Sequence, residues 1–251
     1  MEFQFLGRGG AFNRKEGATS AYKKIGTELF VIDFGEDVFD KLLKYNLFDE
    51  ISRVNIFITH LHGDHVGSLG TALFYIYFYV FHGDKSRVNV YFPSDSLKNL
   101  LRMQGITEDV YTYYINKWDE LLPDGQDNKL EYEFYETPHA EELKRNGHYD
   151  SYAVSFNLKN KGSVFYSGDT NIMLDEVKKG FAYDIIYHEV TKNEKTNAHY
   201  QWKQLLEDTK GWTREEKGRV YLMHLDKDMT EEEAKEQGFQ LVKLAENKNR
   251  F

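Results

Sequence analysis

The sequence predicts an α/β fold, and three observations support that prediction. Apolar runs typical of buried strands recur along the chain, as in the β-branched run Val54–Thr59 and in Val220–Met223. Apolar residues at helical spacing occur between such runs, for example in Asp37–Tyr45. The 251 residues are 41% hydrophobic and 29% charged, which is typical of a compact domain with a sizeable core.

A single domain spanning residues 1–251 is expected. The chain has only three prolines, and no repeat, low-complexity tract or Ser-, Gly- or Pro-rich linker divides it. Cysteine is absent and the N-terminus carries no targeting pattern, so the cytoplasm is the expected location. The apolar run Ala72–Phe81 is about half as long as a membrane-spanning helix, so a buried helix is expected there.

The segment Thr59–Gly67 is the most informative part of the chain and reads Thr-His-Leu-His-Gly-Asp-His-Val-Gly. It places three of the nine histidines and one carboxylate within six positions, directly after an apolar run. Imidazole and carboxylate are the ligands that zinc and its neighbours prefer. A polar loop without a ligand seldom gathers imidazoles in this way, so the segment predicts a metal site.

The spacing within this motif favours two ions over one. His60 and His62 are two residues apart after a strand, so both side chains can face the same side and share an ion. Gly63 lets the chain turn, and Asp64 and His65 then point toward a neighbouring position. Two metals about 3.5 to 4 Å apart form the arrangement that clamps the attacking and leaving oxygens of a hydrolysis.

The remaining ligands are expected from three residues that each follow a strand-like run. Residues placed in this way on several strands meet at one edge of a sheet, where α/β proteins bind their ligands. Asp169 can bridge both ions, because a carboxylate has two oxygens. The first ion then takes His60, His62 and His139, and the second takes Asp64, His65 and His224. His148 lies near His139 in sequence and is an alternative to it. Zn²⁺ is the expected metal and Mn²⁺ the alternative.

These motifs resemble the metallo-β-lactamase superfamily, whose signature His-x-His-x-Asp-His stands here at residues 60–65. The resemblance covers nearly the whole chain. It includes the first loop at Phe5–Phe12, a strand and turn at Val31–Gly35, and later motifs at Ser167–Thr170 and Met223–Leu225. The fold that it implies is an αββα sandwich of two mixed β-sheets, with helices outside and the metals at one edge.

Within the superfamily, Tyr187–Val190 followed by Ala198-His199 resembles the Glu and His motif of the tRNase Z branch, which acts on phosphodiesters. That resemblance implies that His199, oriented by Glu189, is the general acid for the leaving alkoxide. Asp64 is a further catalytic candidate, as the acceptor of a hydrogen bond from the nucleophile.

The other histidines have simpler interpretations. His199 could instead be a surface residue on a helix that continues through Trp202 and Leu206. His82 and His188 are expected to be structural.

The expected substrate is small. The formal net charge is -9 and no cluster of Lys and Arg stands out, so a stable nucleic-acid complex is not expected. Tyr135–Tyr152 is short and charged, unlike the Gly-rich arm with which many tRNase Z proteins hold tRNA. Small members of this branch include viral anti-Pycsar enzymes, and the opening Phe5–Asn13 resembles theirs. The resemblance implies hydrolysis of 3′,5′-cyclic mononucleotides, with cyclic CMP and cyclic UMP first and cyclic AMP and cyclic GMP as further candidates.

Other functions remain open at this point. Among enzymes they are an RNA 3′-end endonuclease and a thioester or lactone hydrolase. A protein that sequesters a nucleotide around structural metals is the candidate from a different class. The superfamily's redox branch carries Glu where His62 stands, so the ligand set is of the hydrolytic type.

The apolar run has a second implication, because Leu73–Phe81 leaves no polar face. One side is expected to pack on the sheet, and the other on Val110–Trp118 or on a second subunit. A homodimer is favoured, since the resembling branch is commonly homodimeric. Two further helices are expected at Thr170–Lys179 and after the capping residue Thr230.

Overall fold

The computed structural model describes residues 1–125, 129–140, 150–178 and 183–246. Two mixed β-sheets form the centre of this part of the chain. The first sheet has six strands, hydrogen-bonded in chain order, and only its first two neighbour pairs are antiparallel. Its strands are β1 (Gln4–Gly7), β2 (Ser20–Ile25), β3 (Glu28–Ile32), β4 (Arg53–Phe57), β5 (Val88–Tyr91) and β6 (Thr112–Tyr114).

The second sheet has seven strands, which also follow one another in chain order. Its strands are β7 (Trp118–Leu121), β8 (Leu130–Glu136), β9 (Tyr152–Leu158), β10 (Gly162–Tyr166), β11 (Ile185–Glu189), β12 (Val220–Met223) and β13 (Gln240–Leu241). Strands β7 to β10 pair antiparallel, and β10 to β13 pair parallel. The parallel half therefore brings several strand ends to the same edge.

Short helices connect the strands. They are α1 (Val38–Lys44), α2 (Gly63–Val66), α3 (Leu69–Tyr75), α4 (Ser96–Met103), α5 (Asp175–Lys178), α6 (Trp202–Asp208), α7 (Arg214–Lys217) and α8 (Glu231–Glu236). A π-helical segment, Ile76–Val80, continues α3, and a 3₁₀ turn, Lys85–Arg87, precedes β5.

Aromatic side chains fill the space between the two sheets. The ring of Phe57 in β4 stacks on Tyr91 of β5, with centroids 4.3 Å apart. The same ring meets Tyr132 and Phe156 of the second sheet edge-on, at 5.2 and 4.9 Å. Edge-to-face contacts at these distances are favourable, so the rings join the sheets into one core.

A second apolar cluster covers the outer face of the seven-stranded sheet. Val164 faces the inner core, whereas its neighbour Phe165 faces outward, as the alternation along a strand requires. Phe165 and Leu222 share the outer cluster with Trp202 and Leu205 of α6. Helices α1, α3 and α4 contribute buried residues to the first apolar cluster, which also contains the rings between the sheets. The αββα layering expected from the sequence is confirmed.

The helix expected at Thr170–Lys179 was wrong over most of its length, because only Asp175–Lys178 is helical within the described residues. The Thr170 amide donates to the Glu189 carboxylate, and the Asn171 amide donates to the Pro138 carbonyl at 3.0 Å. These two contacts hold the start of the segment against other parts of the fold, and the helix forms only further along.

The other helix predictions were closer. Asp37–Tyr45 contains α1, and α8 begins after Thr230, whose hydroxyl accepts from the Glu233 amide at 3.2 Å. The apolar run Ala72–Phe81 lies in α3 and its π-helical continuation. No helix in the described part of the chain has the length and apolar character needed to cross a bilayer.

Candidate metal centre

The histidine motif lies where strands from both sheets end. Strand β4 ends at Phe57, His60 follows three residues later, and α2 begins at Gly63. On the second sheet, Asp169 follows β10 and His224 follows β12, two strands that run parallel through β11. Parallel strands place their carboxyl ends together, so the topology brings these side chains to one edge. All seven ligands proposed from the sequence lie in two clusters at this edge.

The first cluster holds three imidazoles and one carboxylate. Nδ1 of His62 lies 3.0 Å from Nε2 of His60 and 3.2 Å from Nε2 of His139. Asp169 Oδ2 lies 3.7 Å from Nε2 of both His60 and His139. Ligands that bind one ion at about 2.0 to 2.2 Å must lie about this close to one another.

The second cluster holds two imidazoles and two carboxylates. Asp64 Oδ2 lies 3.4 Å from His65 Nε2 and 3.2 Å from His224 Nε2. Asp169 joins this cluster through both oxygens, with Oδ1 3.4 Å from His65 Nε2 and Oδ2 3.3 Å from His224 Nε2. Because Asp169 belongs to both clusters, its carboxylate is placed to bridge two ions.

The contacts of the two ring nitrogens of His65 show whether this site fits a metal. Its Nδ1 lies 2.9 Å from Asp33 Oδ2, and a carboxylate accepts the proton of that nitrogen. Its Nε2 is buried, makes no well-aligned hydrogen bond among the described residues, and faces Asp64 Oδ2 and Asp169 Oδ1, each at 3.4 Å. The charges of these carboxylates raise the pKa of His65 against the effect of burial, so without a cation a proton must stand between them. Since Nε2 faces two carboxylates, a divalent cation fits the position and satisfies all three groups.

His139 is oriented in the same way. Its Nδ1 lies 2.8 Å from the Ala198 carbonyl oxygen, which can only accept, so the proton is on Nδ1 and the lone pair on Nε2. Burial lowers the pKa of His139 to about 4, although the charge of Asp169 opposes that shift. The ring is therefore neutral near pH 7, as a metal ligand must be.

Asp33 is the residue of this site that the sequence reasoning missed. It lies one residue past the end of β3, is fully buried, and adopts a positive φ of 62°. Besides His65, its carboxylate accepts from the amide of Thr59 at 2.8 Å and from the hydroxyl of the same residue. Burial raises the pKa of Asp33 and His65 opposes this shift. The available signal was a carboxylate directly after the apolar strand β3, one residue past its end, whereas the motif begins three residues past the end of the neighbouring strand β4.

His199 and Glu189 form a pair beside the first cluster. His199 Nδ1 lies 2.8 Å from Glu189 Oε2 and 3.8 Å from Asp169 Oδ2. Burial opposes protonation of His199, but the charges of Glu189, Asp169 and Asp64 and the hydrogen bond to Glu189 together outweigh it and raise the pKa to about 10. Glu189 is fully buried at the end of β11. The interpretation of His199 as a residue on a surface helix was wrong, because α6 begins at Trp202 and the ring points to the carboxylates.

The remaining histidines lie outside the two clusters or outside the described residues. His188 is buried, its Nδ1 lies 2.8 Å from the carbonyl oxygen of Glu189, and its ring packs 4.9 Å from that of Tyr200. His82 is exposed, with a positive φ of 51°. His148, the alternative to His139, lies outside the described residues.

A cavity of about 490 Å³ opens onto both clusters, a size typical of small-ligand sites. Its lining includes five of the residues above, His62, Asp64, Asp169, His199 and His224. Other parts of its wall come from the loop after β1, from the segment after β11 and from the segment after β12. The site thus combines buried ligands with an open, partly polar approach.

Comparison with known proteins identifies close relatives of two kinds. Anti-Pycsar protein Apyc1 of Bacillus phage 010DV004 is 29% identical over 248 residues, which are 91% of this chain and 90% of the relative. Ribonuclease Z of Methanococcus maripaludis (strain S2) is 36% identical over 120 residues, which are 46% of this chain and 37% of that protein. This chain thus spans less than half the length of the ribonuclease Z relatives that it matches.

The solved structures support the fold. YhfI from Bacillus subtilis, described as a metallo-beta-lactamase fold protein, superposes with a TM-score of 0.66 at 17% identity, over 94% of this chain and 90% of that one. The metallo-β-lactamase fold implied by the sequence is therefore confirmed. The family model described as Anti-Pycsar protein Apyc1 matches residues 1–248, nearly the full sequence. This chain belongs to the Anti-Pycsar protein Apyc1 family.

Proposed function

We propose that this protein is a binuclear metal-dependent phosphodiesterase that opens 3′,5′-cyclic mononucleotides, cyclic CMP and cyclic UMP first, to nucleoside monophosphates. One observation carries the proposal: two ligand clusters share Asp169 beside His199, which Glu189 anchors. The family membership of residues 1–248 supports the same chemistry.

The seven clustered side chains would hold two divalent ions, with Zn²⁺ favoured by the nitrogen and carboxylate donors and Mn²⁺ as the alternative. When bound, such a pair supplies a water of lowered pKa and neutralises charge on the phosphate oxygens. The position of Asp64 on the cavity wall supports a role for it as the acceptor of a hydrogen bond from the attacking water.

His199 supplies the proton that the reaction needs at its other end. Water adds to phosphorus, one ribose P–O bond of the ring breaks, and the departing oxygen takes a proton. His199 lines the cavity, and the neighbouring carboxylates raise its pKa and so favour the protonated ring that a proton donor needs. Glu189 holds the ring through Nδ1, which leaves Nε2 free of that carboxylate and available as the donor.

A small substrate is supported by charge and by volume. The formal net charge of -9 disfavours a surface that must neutralise many phosphates, and a cavity of about 490 Å³ suits a mononucleotide. The partial matches to ribonuclease Z favour one second candidate, an RNA 3′-end endonuclease. Salt-sensitive binding of RNA would favour that candidate.

The test is a turnover panel of cyclic mononucleotides, cyclic dinucleotides, short RNA and a precursor tRNA, with the zinc-loaded protein. Wild type is expected to open cyclic mononucleotides, and His62→Ala to lose that activity. His82→Ala is the matched control, because His82 is exposed and lies outside both clusters. Cleavage of the tRNA precursor while every cyclic mononucleotide stays intact would contradict the proposal.

Assembly and biological role are part of the same proposal. Phe74, Phe78 and Tyr79 form an exposed aromatic patch on α3 and its continuation, and monomers rarely expose such a patch. We therefore propose a homodimer of single-domain chains that meet through this patch. A strict monomer in sedimentation at micromolar concentration would exclude it. The phage relative named for anti-Pycsar activity supports a viral enzyme that acts against cyclic-nucleotide signalling in the host cytoplasm.

A further inference from the structure

The most exposed aromatic side chain on the cavity wall is that of Phe12, within the residues that the structure describes. Its relative exposure is 87%, although it belongs to a wall that also includes the buried Asp64, Asp169 and His224. One exposed phenylalanine on a protein surface needs no explanation by itself. Phe12, however, lies on the approach to a cluster of buried proposed ligands, and this position does need an explanation.

The backbone that presents Phe12 is firmly held. The Asn13 amide donates to the Gly10 carbonyl at 2.9 Å, which closes a tight turn around Phe12. The Asn13 side chain and the Gly10 amide both donate to the Leu225 carbonyl, at 3.0 and 3.1 Å. Leu225 directly follows the proposed ligand His224, so the turn is fastened to the metal centre itself.

The same turn packs closely against the centre. A Cβ at Gly10 would lie 3.2 Å from Cε1 of His224, which shows how near the backbone approaches that ring. On the far side of the loop, Arg14 forms an exposed salt bridge of 3.1 Å with Glu36 in the segment after β3. The Phe12 ring is therefore exposed on a backbone whose position relative to the proposed ligands is fixed.

We infer that Phe12 is the platform on which the base of the substrate stacks while the phosphate lies at the two ligand clusters. This inference rests on the proposed function and deepens it. Every nucleobase has a π face, so stacking on one ring contributes affinity for all bases and distinguishes poorly among them. Phe12 would then favour nucleotides over phosphodiesters that lack a base, and other side chains would have to read the base edges.

The experiment measures binding separately from turnover. Zinc-loaded wild type, Phe12→Ala and Phe12→Trp are titrated calorimetrically with CMP and with ribose 5-phosphate, which has the phosphate but no base. Phe12→Ala is expected to bind CMP about 5- to 100-fold more weakly and ribose 5-phosphate unchanged. Phe12→Trp keeps the aromatic face and is expected to bind CMP as tightly as wild type. The KM for cyclic CMP should rise in Phe12→Ala in the same proportion as the loss of CMP affinity.

Met103→Ala is the matched control, since Met103 is 87% exposed like Phe12, lies at the end of α4 and does not line this cavity. It should bind both ligands as wild type does. Equal CMP affinity in wild type and Phe12→Ala would overturn the inference, and so would an equal loss for CMP and ribose 5-phosphate. A wild type that opens no cyclic mononucleotide would contradict the proposed function instead, whatever Phe12→Ala does to CMP binding.

Discussion

The pairing of His199 with Glu189 leads to the first prediction at the scale of single residues. His199→Ala removes the proposed proton donor and no member of either ligand cluster. We expect kcat to fall by about 10²- to 10⁴-fold while the metal content stays at the wild-type level. Elemental analysis and steady-state kinetics check this expectation together. Because an aryl leaving group needs little protonation, an equal loss on a p-nitrophenyl phosphodiester would exclude the general-acid role.

Asp33 leads to a second prediction, as a positioning residue. Its carboxylate orients His65 and binds Thr59, so Asp33→Asn weakens the hold on the imidazole without removing a ligand. Partners of this kind typically contribute 10- to 100-fold to metal affinity, so a loss of about that size is expected in a chelator competition. Excess metal should restore turnover in Asp33→Asn.

The control for that variant is Asp49→Asn, because Asp49 is exposed and remote from the ligands. It should bind metal as tightly as wild type. If Asp33→Asn folds normally but excess metal does not restore its turnover, Asp33 acts through something other than the metal.

At the scale of elements, the local sequence pattern predicted most of the strands whose ends carry the proposed ligands. Strand-like runs before His60, Asp169 and His224 were visible because each is largely apolar or aromatic, and the ends of parallel strands coincide by topology. Asp33 lacked a second ligand type beside it, so its only local signal was a carboxylate after an apolar strand. Its role depends on a contact 32 residues along the chain, which one sequence does not display.

Two elements show why the rest was not predictable. In Ile76–Val80 every residue is apolar or aromatic, and such a run gives no period from which to tell a π-helix from an α-helix. The segment from Thr170 has a helical composition, yet only Asp175–Lys178 is helical within the described residues, and the amides of Thr170 and Asn171 donate to Glu189 and Pro138. Contacts between residues so far apart in sequence are not visible in local composition.

The turn after β3 leads to a prediction at this scale. The Phe34 amide donates to the His65 carbonyl at 2.6 Å, so this turn clamps α2 from one side. A Cβ at Gly35 would lie 2.2 Å from the Asp64 carbonyl oxygen and 2.4 Å from Cβ of Ala18. Since backbone and a short side chain cannot yield, Gly35→Ala must displace α2 together with Asp64 and His65.

We expect Gly35→Ala to lower the free energy of unfolding by about 1 to 3 kcal/mol and to reduce metal occupancy. Urea unfolding and elemental analysis measure the two effects. The matched control is Gly211→Ala, because a Cβ at Gly211 meets nothing within 4 Å. Full metal occupancy in a destabilised Gly35→Ala would mean that α2 and its ligands do not depend on this turn.

At the scale of the whole molecule, the proposed ions would join the two sheets. His60, His62, Asp64 and His65 follow a strand of the first sheet, whereas Asp169 and His224 follow strands of the second. The aromatic core between the sheets, around Phe57, does not involve these ligands. The fold should therefore persist without metal, with less stability.

Removing the metals by chelation tests whether the fold persists on its aromatic core alone. A ligand that binds only the folded state stabilises it by RT ln(1 + [L]/Kd), about 4 kcal/mol at a thousandfold excess over Kd, so chelation should lower Tm by several degrees. The far-UV circular dichroism at 25 °C should stay unchanged while turnover is lost. His62→Ala, which already lacks one ligand, should show a smaller drop in Tm. Simultaneous loss of turnover and secondary structure would instead identify structural metals, as in a protein that sequesters nucleotides without cleaving them.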